Sequence, residues 1–241
     1  MNYKLGIQYD GTNYSGWQIQ ENAPSVQGKI TEAIKIILKK DVNLIGSGRT
    51  DTGVHAVGQT ANFRFDTSID IYRFKHSLNS VLPFDISITS MTEAEEDFHA
   101  RFDAKKRSYF YLISLYKSPL LHNYSYFYHE PIDISSLNKL GKLLLGTHDF
   151  RSFSKKSGSI ENTVCTIYTV QWRMIRGILV FLIEADRYLH GMVRTITGTL
   201  LKLSQEKDGE EKIVNILKGN DRSLAGEALP AKGLFLYKVK Y

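Results

Sequence analysis

The feature that most constrains the fold of this chain is the alternation of strand-like and helix-like hydrophobic periodicity in both halves of the sequence. In the first half, a strand-like run at residues 4–9 precedes a helical pattern at residues 25–39, with Ser25 as the expected N-cap. In the second half, an aromatic strand-like run at residues 107–116 precedes a helical pattern at residues 134–145. Two further strand-like runs meet near Gly177 and predict a hairpin. Strands mixed with a few helices favour an α+β fold.

The two halves follow a similar order of elements. We therefore predict an N-terminal α+β domain at residues 1–105 and a C-terminal α+β domain at residues 106–241. Because no Pro/Ser-rich linker separates them, we expect the halves to share a sheet or a broad interface.

Composition limits the classes of function. The 241 residues carry a formal net charge of +6, which is compatible with a polyanionic partner. The single cysteine, Cys165, excludes an intrachain disulfide and a multi-cysteine zinc site, and it fits a cytosolic compartment. Seven histidines show no metal-ligand spacing, so we predict no metal. No apolar run approaches the ~20 residues that span a membrane.

One carboxylate has a specific setting, that of Asp51 in the run Gly-Arg-Thr-Asp-Thr-Gly-Val-His-Ala at residues 48–56. The run follows an apolar stretch that predicts a strand at residues 42–47, so it places an acid beside Arg49 on a loop at the end of a strand. Aspartate in such a loop often forms an Asx turn. The glycine spacing matches neither a P-loop nor a dinucleotide-binding fingerprint. Asp51 is therefore either a turn residue or a functional carboxylate, without a nucleotide cofactor.

A second segment combines basic and aromatic residues. Three basic residues at 105–107 precede a strand in which Tyr109 and Tyr111 face one side and Phe110 the other. This pattern suits neutralisation of an RNA backbone and stacking on bases. The alternative is that the aromatic side chains form core and the lysines a solvated edge.

Arg194 lies at an inward-facing position of a helical pattern at residues 189–203. A buried arginine needs a carboxylate partner, and Asp51 is a candidate. Such a pair would keep Asp51 ionised, as a nucleophile requires. The alternative is a surface arginine on an amphipathic helix. A further segment, residues 146–156, is typical of a helix C-cap and a basic loop, which is either a surface loop or an RNA-backbone contact.

Taken together, these segments resemble the tRNA pseudouridine synthase A family along nearly the whole chain. The matching motifs lie at residues 9–12, 16–18, 26–28, 48–56, 78–83, 98–101, 107–111, 149–153, 190–194 and 233–234.

The resemblance implies an isomerase that converts uridine to pseudouridine at positions 38, 39 and 40 of the tRNA anticodon stem-loop. It implies a two-part α+β fold with a shared central, largely antiparallel sheet flanked by helices, and a basic cleft between the halves that holds RNA. It also implies a homodimer in the cytoplasm that needs no metal, ATP or organic cofactor.

Carried onto matching positions, the resemblance makes Asp51 the catalytic aspartate and Tyr109 the residue that stacks on the target uracil. It makes Arg194 the partner that holds Asp51 ionised, and Arg49 an aid to base flipping. The other expected RNA contacts are Thr50, His55, Arg107, Lys155 and Lys156. The chain departs from the family pattern at Thr52, Gly191 and Thr195.

Two other functions are compatible with parts of the pattern. A noncatalytic RNA-binding module would use the same basic and aromatic surface. A glycosidase would need a second carboxylate, for which Asp10 and Asp149 are the candidates within the motifs.

Overall fold

The computed structural model describes residues 1–155 and 162–241. Contacts divide the chain into two compact units, one of residues 1–105 with 235–241 and the other of residues 106–234. Each unit contains helices and strands, and the strands pair mostly antiparallel. The predicted α+β class is therefore confirmed.

The strands, in chain order, are β1 (Asn2–Tyr9), β2 (Ile45–Gly46), β3 (His55–Arg64), β4 (Ile86–Ala94), β5 (Lys106–Ser114), β6 (Tyr126–Phe127), β7 (Gly146–Asp149), β8 (Val164–Ile175), β9 (Ile178–Ala185) and β10 (Leu234–Lys240). The α-helices are α1 (Val26–Leu38), α2 (Ile71–Val81), α3 (Ile134–Lys142), α4 (Met192–Leu203) and α5 (Gly209–Gly219). Within the described residues, no helix has the length and apolarity needed to cross a membrane.

In the first unit the strand order is β4–β1–β3–β10, with β2 paired to β3. Tyr9, at the end of β1, pairs with Ala56 near the start of β3 and with Ile86 at the start of β4. The parallel strand β10 joins the same end through Phe235 beside His55. The Asp51 loop, which leads into β3, therefore lies at this end of the sheet.

The helices of the first unit form because their apolar residues share one face. The buried residues of α1 recur at helical spacing, from Val26 through Ile30 to Ile34. The helix begins as predicted at the N-cap Ser25, whose hydroxyl accepts a hydrogen bond from the Gly28 N–H at 3.2 Å.

In the second unit the strand order is β5–β9–β8–β7, and β6 pairs parallel with the end of β5. The hairpin between β8 and β9 turns at Arg176 and Gly177, whose φ angles are 49° and 78°. Two consecutive positive φ angles match a type I′ turn, so the predicted hairpin is confirmed. Helix α4 is buried along nearly its whole length.

Two local predictions about strands were wrong. The strand expected at residues 42–47 is reduced to Ile45–Gly46, which pair only with Asn62 and Ala61. The loop expected from residue 146 begins instead with β7, which pairs with residues 164–167 of β8, followed by the 3-10 turn Arg151–Phe153.

Candidate active site

The backbone around Asp51 is fixed by hydrogen bonds from both sides. The Val54 N–H donates to the Asp51 carbonyl at 3.1 Å, and the Gly53 N–H donates to the Tyr14 carbonyl at 3.3 Å. In an Asx turn, the Asp51 side chain would accept the N–H of Gly53, two residues on. In this loop that N–H bonds to the Tyr14 carbonyl. Gly53 has φ of +74°, the left-handed region that glycine adopts without strain. Asp51 itself is half-buried, and Thr52 beside it is exposed.

Thr50 ties the Asp51 loop to the loop that follows β1. Its hydroxyl lies 2.8 Å from the Tyr9 hydroxyl, and its carbonyl accepts the Trp17 N–H at 3.1 Å. Gly16 lies so close that a Cβ there would be 2.4 Å from the Thr50 carbonyl oxygen. With only 7% of its surface exposed, Thr50 is placed as a support of the loop.

His55 lies in the interior of the first unit, with 1% of its surface exposed. Its Nδ1 accepts the Gly11 N–H at 3.0 Å and lies 3.0 Å from Asp10 Oδ1. Its ring stacks on Phe235 of β10, with centroids 4.6 Å apart. These contacts tie the β1 turn, β3 and β10 together beside the Asp51 loop.

Asp85 supports the Asp51 loop, a role that the sequence did not reveal. It accepts a hydrogen bond from the Tyr14 hydroxyl at 2.5 Å, while its carbonyl accepts the Asp10 N–H at 2.9 Å. Burial, followed by the hydrogen bond to Asp85, raises the pKa of Tyr14 above its usual value. Since the Tyr14 carbonyl in turn holds Gly53, Asp85 braces the Asp51 loop through Tyr14. The signal available in the sequence was an aspartate two residues after Pro83, just before a strand.

Arg49 projects from a supported backbone. The buried Gln59 accepts the Ser47 hydroxyl at 2.6 Å and donates to the Gly48 carbonyl at 3.0 Å. These bonds fix the two residues before Arg49, while Arg49 itself is exposed.

In the second unit, Tyr109 lies on β5 opposite Ile183 of β9 and is 8% exposed. Its ring meets the ring of Tyr188 edge to face, with centroids 5.1 Å apart and an interplanar angle of 85°. The Tyr188 hydroxyl donates to the Arg107 carbonyl at 3.2 Å. Burial, followed by the nearby Tyr109, raises the pKa of Tyr188 well above its usual value.

The expected basic contacts have different surroundings. Arg107 donates from Nη1 to the Asp186 carbonyl at 2.8 Å, so part of its guanidinium is engaged within the unit. Lys155 is exposed, and its N–H donates to the His190 carbonyl at 3.0 Å. Lys156 lies outside the described residues.

Arg194 lies in the first turn of α4 and is half-buried. Its Nε donates to the Leu229 carbonyl at 2.5 Å, and the Leu229 N–H donates to the Arg194 carbonyl at 3.2 Å. The same chain segment packs against Gly198, where a Cβ would be 2.1 Å from the Glu227 carbonyl oxygen. Helix α4 and this segment therefore fix the start of the Arg194 side chain.

Two of the departures from the family pattern have clear places. Gly191 is the N-cap of α4, with φ of +72° and no atom within 4 Å of the position of a Cβ. Thr195 is 1% exposed, and its carbonyl accepts the Thr199 hydroxyl at 2.7 Å. Thr195 therefore contributes to the packing inside the second unit.

The predicted residues thus fall into two groups, one in each unit. The first unit holds Arg49, Thr50, Asp51 and His55, and the second holds Arg107, Tyr109, Lys155 and Arg194. Among residues 1–155 and 162–241, no group of three or more His, Cys, Asp or Glu could hold a metal ion.

Comparison with known proteins gives consistent matches over the whole chain. A family model described as tRNA pseudouridine synthase matches residues 6–103 and 141–241. The tRNA pseudouridine synthase A of Thermoanaerobacter sp. (strain X514) is 40% identical over 242 residues, covering 100% of this chain and 99% of that protein. The tRNA pseudouridine synthase A 1 of Protochlamydia amoebophila (strain UWE25) is 44% identical over 245 residues, covering 99% of this chain and 96% of that protein.

One match among solved structures is more distant. The match to a chain in the crystal structure of the archaeal box H/ACA sRNP Nop10-Cbf5 complex covers 95% of this chain and 58% of that chain. The sequence identity is 9% and the TM-score is 0.38. The sequence matches therefore decide the assignment. Because the family model covers most of the chain, and relatives at 40% and 44% identity cover nearly all of it, the chain belongs to the tRNA pseudouridine synthase family.

Proposed function

We propose that this isomerase acts on uridines 38, 39 and 40 of the tRNA anticodon stem-loop, with Asp51 as its catalytic carboxylate. As a member of its family, it converts uridine to pseudouridine in tRNA. The observation that carries the role of Asp51 is its place in the family motif, on a loop held from both sides by the hydrogen bonds of Gly53 and Val54.

The reaction breaks the glycosidic bond between C1′ and N1, rotates the uracil, and joins C1′ to C5. The proton leaves C5 and N1 gains one, so the product is an isomer of the substrate. A carboxylate can attack C1′, add to C6, or assist the loss of the C2′ proton to give a glycal. Each route requires Asp51 to be ionised and close to a uridine that has left the base stack.

The surroundings of Asp51 suit this task. A catalytic group must be held close to its productive geometry, because misplacement by about 1 Å costs about a hundredfold in rate. Thr50, Gly53 and Val54 fix the backbone on either side of Asp51, and Asp51 itself is half-buried. His55 and Thr50, first expected as RNA contacts, are better suited by their burial to supporting this loop.

The other roles follow from the residues matched to the family. Tyr109 stacks on the uracil, and Arg194 pairs with Asp51. Arg49 assists the flipping of the base or occupies the space that the flipped base leaves in the stack. Extracting a base costs about a few kcal/mol, which contacts to the RNA backbone and stacking offset. Arg107, Lys155 and Lys156 supply positive charge for those contacts.

The same proposal covers the assembly. The tRNA binds in a basic cleft between an N-terminal domain of residues 1–105 and a C-terminal domain of residues 106–241. The enzyme works in the cytoplasm as a homodimer without a cofactor. Light scattering at micromolar concentration tests the dimer, and the mass of one chain would contradict it.

The experiment that tests the function uses an unmodified tRNA transcript labelled with tritium at C5 of uridine. Formation of pseudouridine replaces the C5 hydrogen, so tritium release follows the reaction. We expect release by the wild type without added metal or nucleotide, and none by Asp51→Asn, with tRNA affinity kept or increased by the loss of a negative charge. Asp97→Asn, at an exposed acid, is the matched control and should keep wild-type activity.

The two alternatives have distinct outcomes. Tight tRNA binding without tritium release by the wild type would favour a noncatalytic RNA-binding module. Release of free uracil from the RNA would favour a glycosidase. Equal release by Asp51→Asn and the wild type would remove Asp51 from the mechanism.

A further inference from the structure

A short segment of the second unit, Asp186 to Gly191, contacts three elements that carry proposed site residues. It leads into α4, where Arg194 lies in the first turn. Its His190 carbonyl accepts the N–H of Lys155 at 3.0 Å. Its third contact is with the start of β5, and it is made by Asp186 and Tyr188.

The contact with β5 has two hydrogen bonds that run in opposite directions. The Arg107 guanidinium donates to the Asp186 carbonyl at 2.8 Å, and the Tyr188 hydroxyl donates to the Arg107 carbonyl at 3.2 Å. Arg107 is thus held at both its side chain and its backbone. Tyr109, two residues further along the same strand, shares the face of β5 on which Arg107 lies.

Asp186 is itself fixed, so the segment is a firm support. Its Oδ1 accepts the Thr166 N–H at 2.9 Å and the Arg187 N–H at 2.7 Å. The first of these bonds anchors the segment to β8, and the second shapes the turn directly before Tyr188. The Tyr188 ring therefore projects from a backbone that has little freedom to move.

The Tyr188 ring meets the Tyr109 ring edge to face, at 5.1 Å between centroids and 85° between planes. This is a preferred geometry for an aromatic pair, because the positive edge of one ring points at the negative face of the other. Two rings that meet in this way restrain each other's rotation. The remaining exposed surface of Tyr109, 8% of the residue, is thereby presented in one orientation.

We infer that Tyr188 is a positioning residue for Tyr109. It holds Tyr109 at the orientation for stacking on the flipped uracil through its ring contact and through its bond to the Arg107 carbonyl. This inference rests on the proposed function, in which Tyr109 is the stacking residue. Tyr188 itself does not contact the substrate. The ring carries most of the effect, and the hydroxyl fixes where the ring lies.

The test uses two variants that separate ring from hydroxyl. Tyr188→Phe keeps the ring contact and loses the hydrogen bond to Arg107, while Tyr188→Leu loses both. Single-turnover tritium release from the C5-tritiated tRNA gives the rate, and filter binding gives the Kd. Tyr72→Leu, at a tyrosine that is 79% exposed on α2, is the matched control.

We expect Tyr188→Leu to lower the single-turnover rate by at least about tenfold, with Kd within about twofold of the wild type. Tyr188→Phe should recover the rate to within about threefold of the wild type, because the aromatic edge remains. A purely structural role would lower rate and binding together as the folded fraction falls. If Tyr188→Leu shows no cooperative thermal transition, Tyr188→Met carries the same expectation, since it keeps apolar volume without an aromatic edge.

A double-mutant cycle tests the route of the effect. If Tyr188 acts through Tyr109, Tyr188→Leu should change the rate by less than about twofold in a Tyr109→Leu background. The inference would be overturned if the rate losses of the two single variants multiplied in the double variant, or if Tyr188→Leu reacted at the wild-type rate. Either result would leave the proposed function standing. A wild type that releases no tritium would overturn the proposed function, and this inference with it.

Discussion

Tyr14 links the turn before β4 to the Asp51 loop. Its hydroxyl donates a hydrogen bond to the Asp85 carboxylate, and its backbone carbonyl accepts the Gly53 N–H. Loops that carry functional residues are commonly positioned by a rigid scaffold. Tyr14 and Asp85 hold the Asp51 loop in this way.

The raised pKa of Tyr14 predicts a dependence of stability on pH. A group whose pKa is raised by folding contributes stability that is fully present below its unfolded pKa, here 10.0, and that is lost as the pH rises above it. We expect the difference in unfolding free energy between the wild type and Tyr14→Phe to shrink as the pH rises above about 10. Urea titrations on both sides of that pH measure it. Tyr72→Phe, at an exposed tyrosine, should show no such change, and an unchanged difference for Tyr14→Phe would contradict the account.

Arg194 gives a prediction about geometry. Its Nε donates to the Leu229 carbonyl at 2.5 Å, which orients the planar fork of its guanidinium. Lysine keeps the charge and lacks the fork. We expect Arg194→Lys to lower the single-turnover rate by about tenfold to a hundredfold with little change in tRNA affinity.

The matched control for Arg194→Lys is Arg173→Lys, at an exposed arginine of β8, which should react at the wild-type rate. Wild-type activity of Arg194→Lys would show that only its charge matters.

At this scale the sequence located Asp51, Tyr109 and Arg194 on a loop, a strand and a helix. It did not reveal that His55 is buried, because a histidine in a Gly-rich loop carries no sign of its surroundings. Nor did it reveal Asp85, whose importance comes from a partner that lies 71 residues away along the chain.

Among the elements, α1 and α4 show what local sequence can and cannot predict. Ser25 and the apolar spacing of α1 placed its start correctly. The pattern for α4 predicted a start near residue 189, whereas the helix begins at Met192 after the left-handed Gly191. A positive φ angle at one glycine is a backbone fact that hydrophobic periodicity does not contain.

Gly191 therefore predicts a difference between two substitutions. A Cβ there would meet no atom within 4 Å, so the cost arises from the left-handed backbone alone. We expect Gly191→Ala to destabilise the protein by about 1 kcal/mol, and Gly191→Asn by less, because asparagine tolerates this region. Calorimetric melting should show a drop of about 2–4 °C for alanine. Equal melting temperatures for the Gly191→Ala variant and the wild type would contradict the left-handed conformation at residue 191.

The short strands failed in prediction for a different reason. Residues 42–47 have a strand-like pattern, yet the strand is limited to Ile45–Gly46, followed by one backbone hydrogen bond from Ser47 to Thr60 of β3. Residues 146–149 have a loop-like pattern, yet they pair with β8. Whether such runs become strands is decided by a neighbour distant in sequence, which propensity does not report.

On the scale of the whole molecule, the last residues return to the first unit. In β10, Phe235 and Leu236 pair with His55 and Ala56 of β3, and the Tyr241 hydroxyl donates to the Ala100 carbonyl at 2.9 Å. The run at residues 233–241 predicts a strand, but its pattern does not identify the partner. The end of the chain thus supports the same strand that follows the Asp51 loop.

This return predicts a long-range effect of one core substitution. Leu236 is 1% exposed, so Leu236→Ala should destabilise the protein by about 2–5 kcal/mol. Amide hydrogen exchange in peptides from β3 should become faster. The exposed Lys238→Ala on the same strand is the control and should change stability by less than about 0.5 kcal/mol. Unchanged exchange in β3 would contradict this role of β10.

The central claim is that the chain isomerises uridine in tRNA through Asp51. The most direct measurement is nucleoside analysis of an unmodified tRNA after a single turnover with excess enzyme. The account predicts that each uridine lost appears as pseudouridine at positions 38–40, with no free uracil, and that Asp51→Asn makes none. Free uracil in place of pseudouridine, or the same yield from Asp51→Asn, would contradict it.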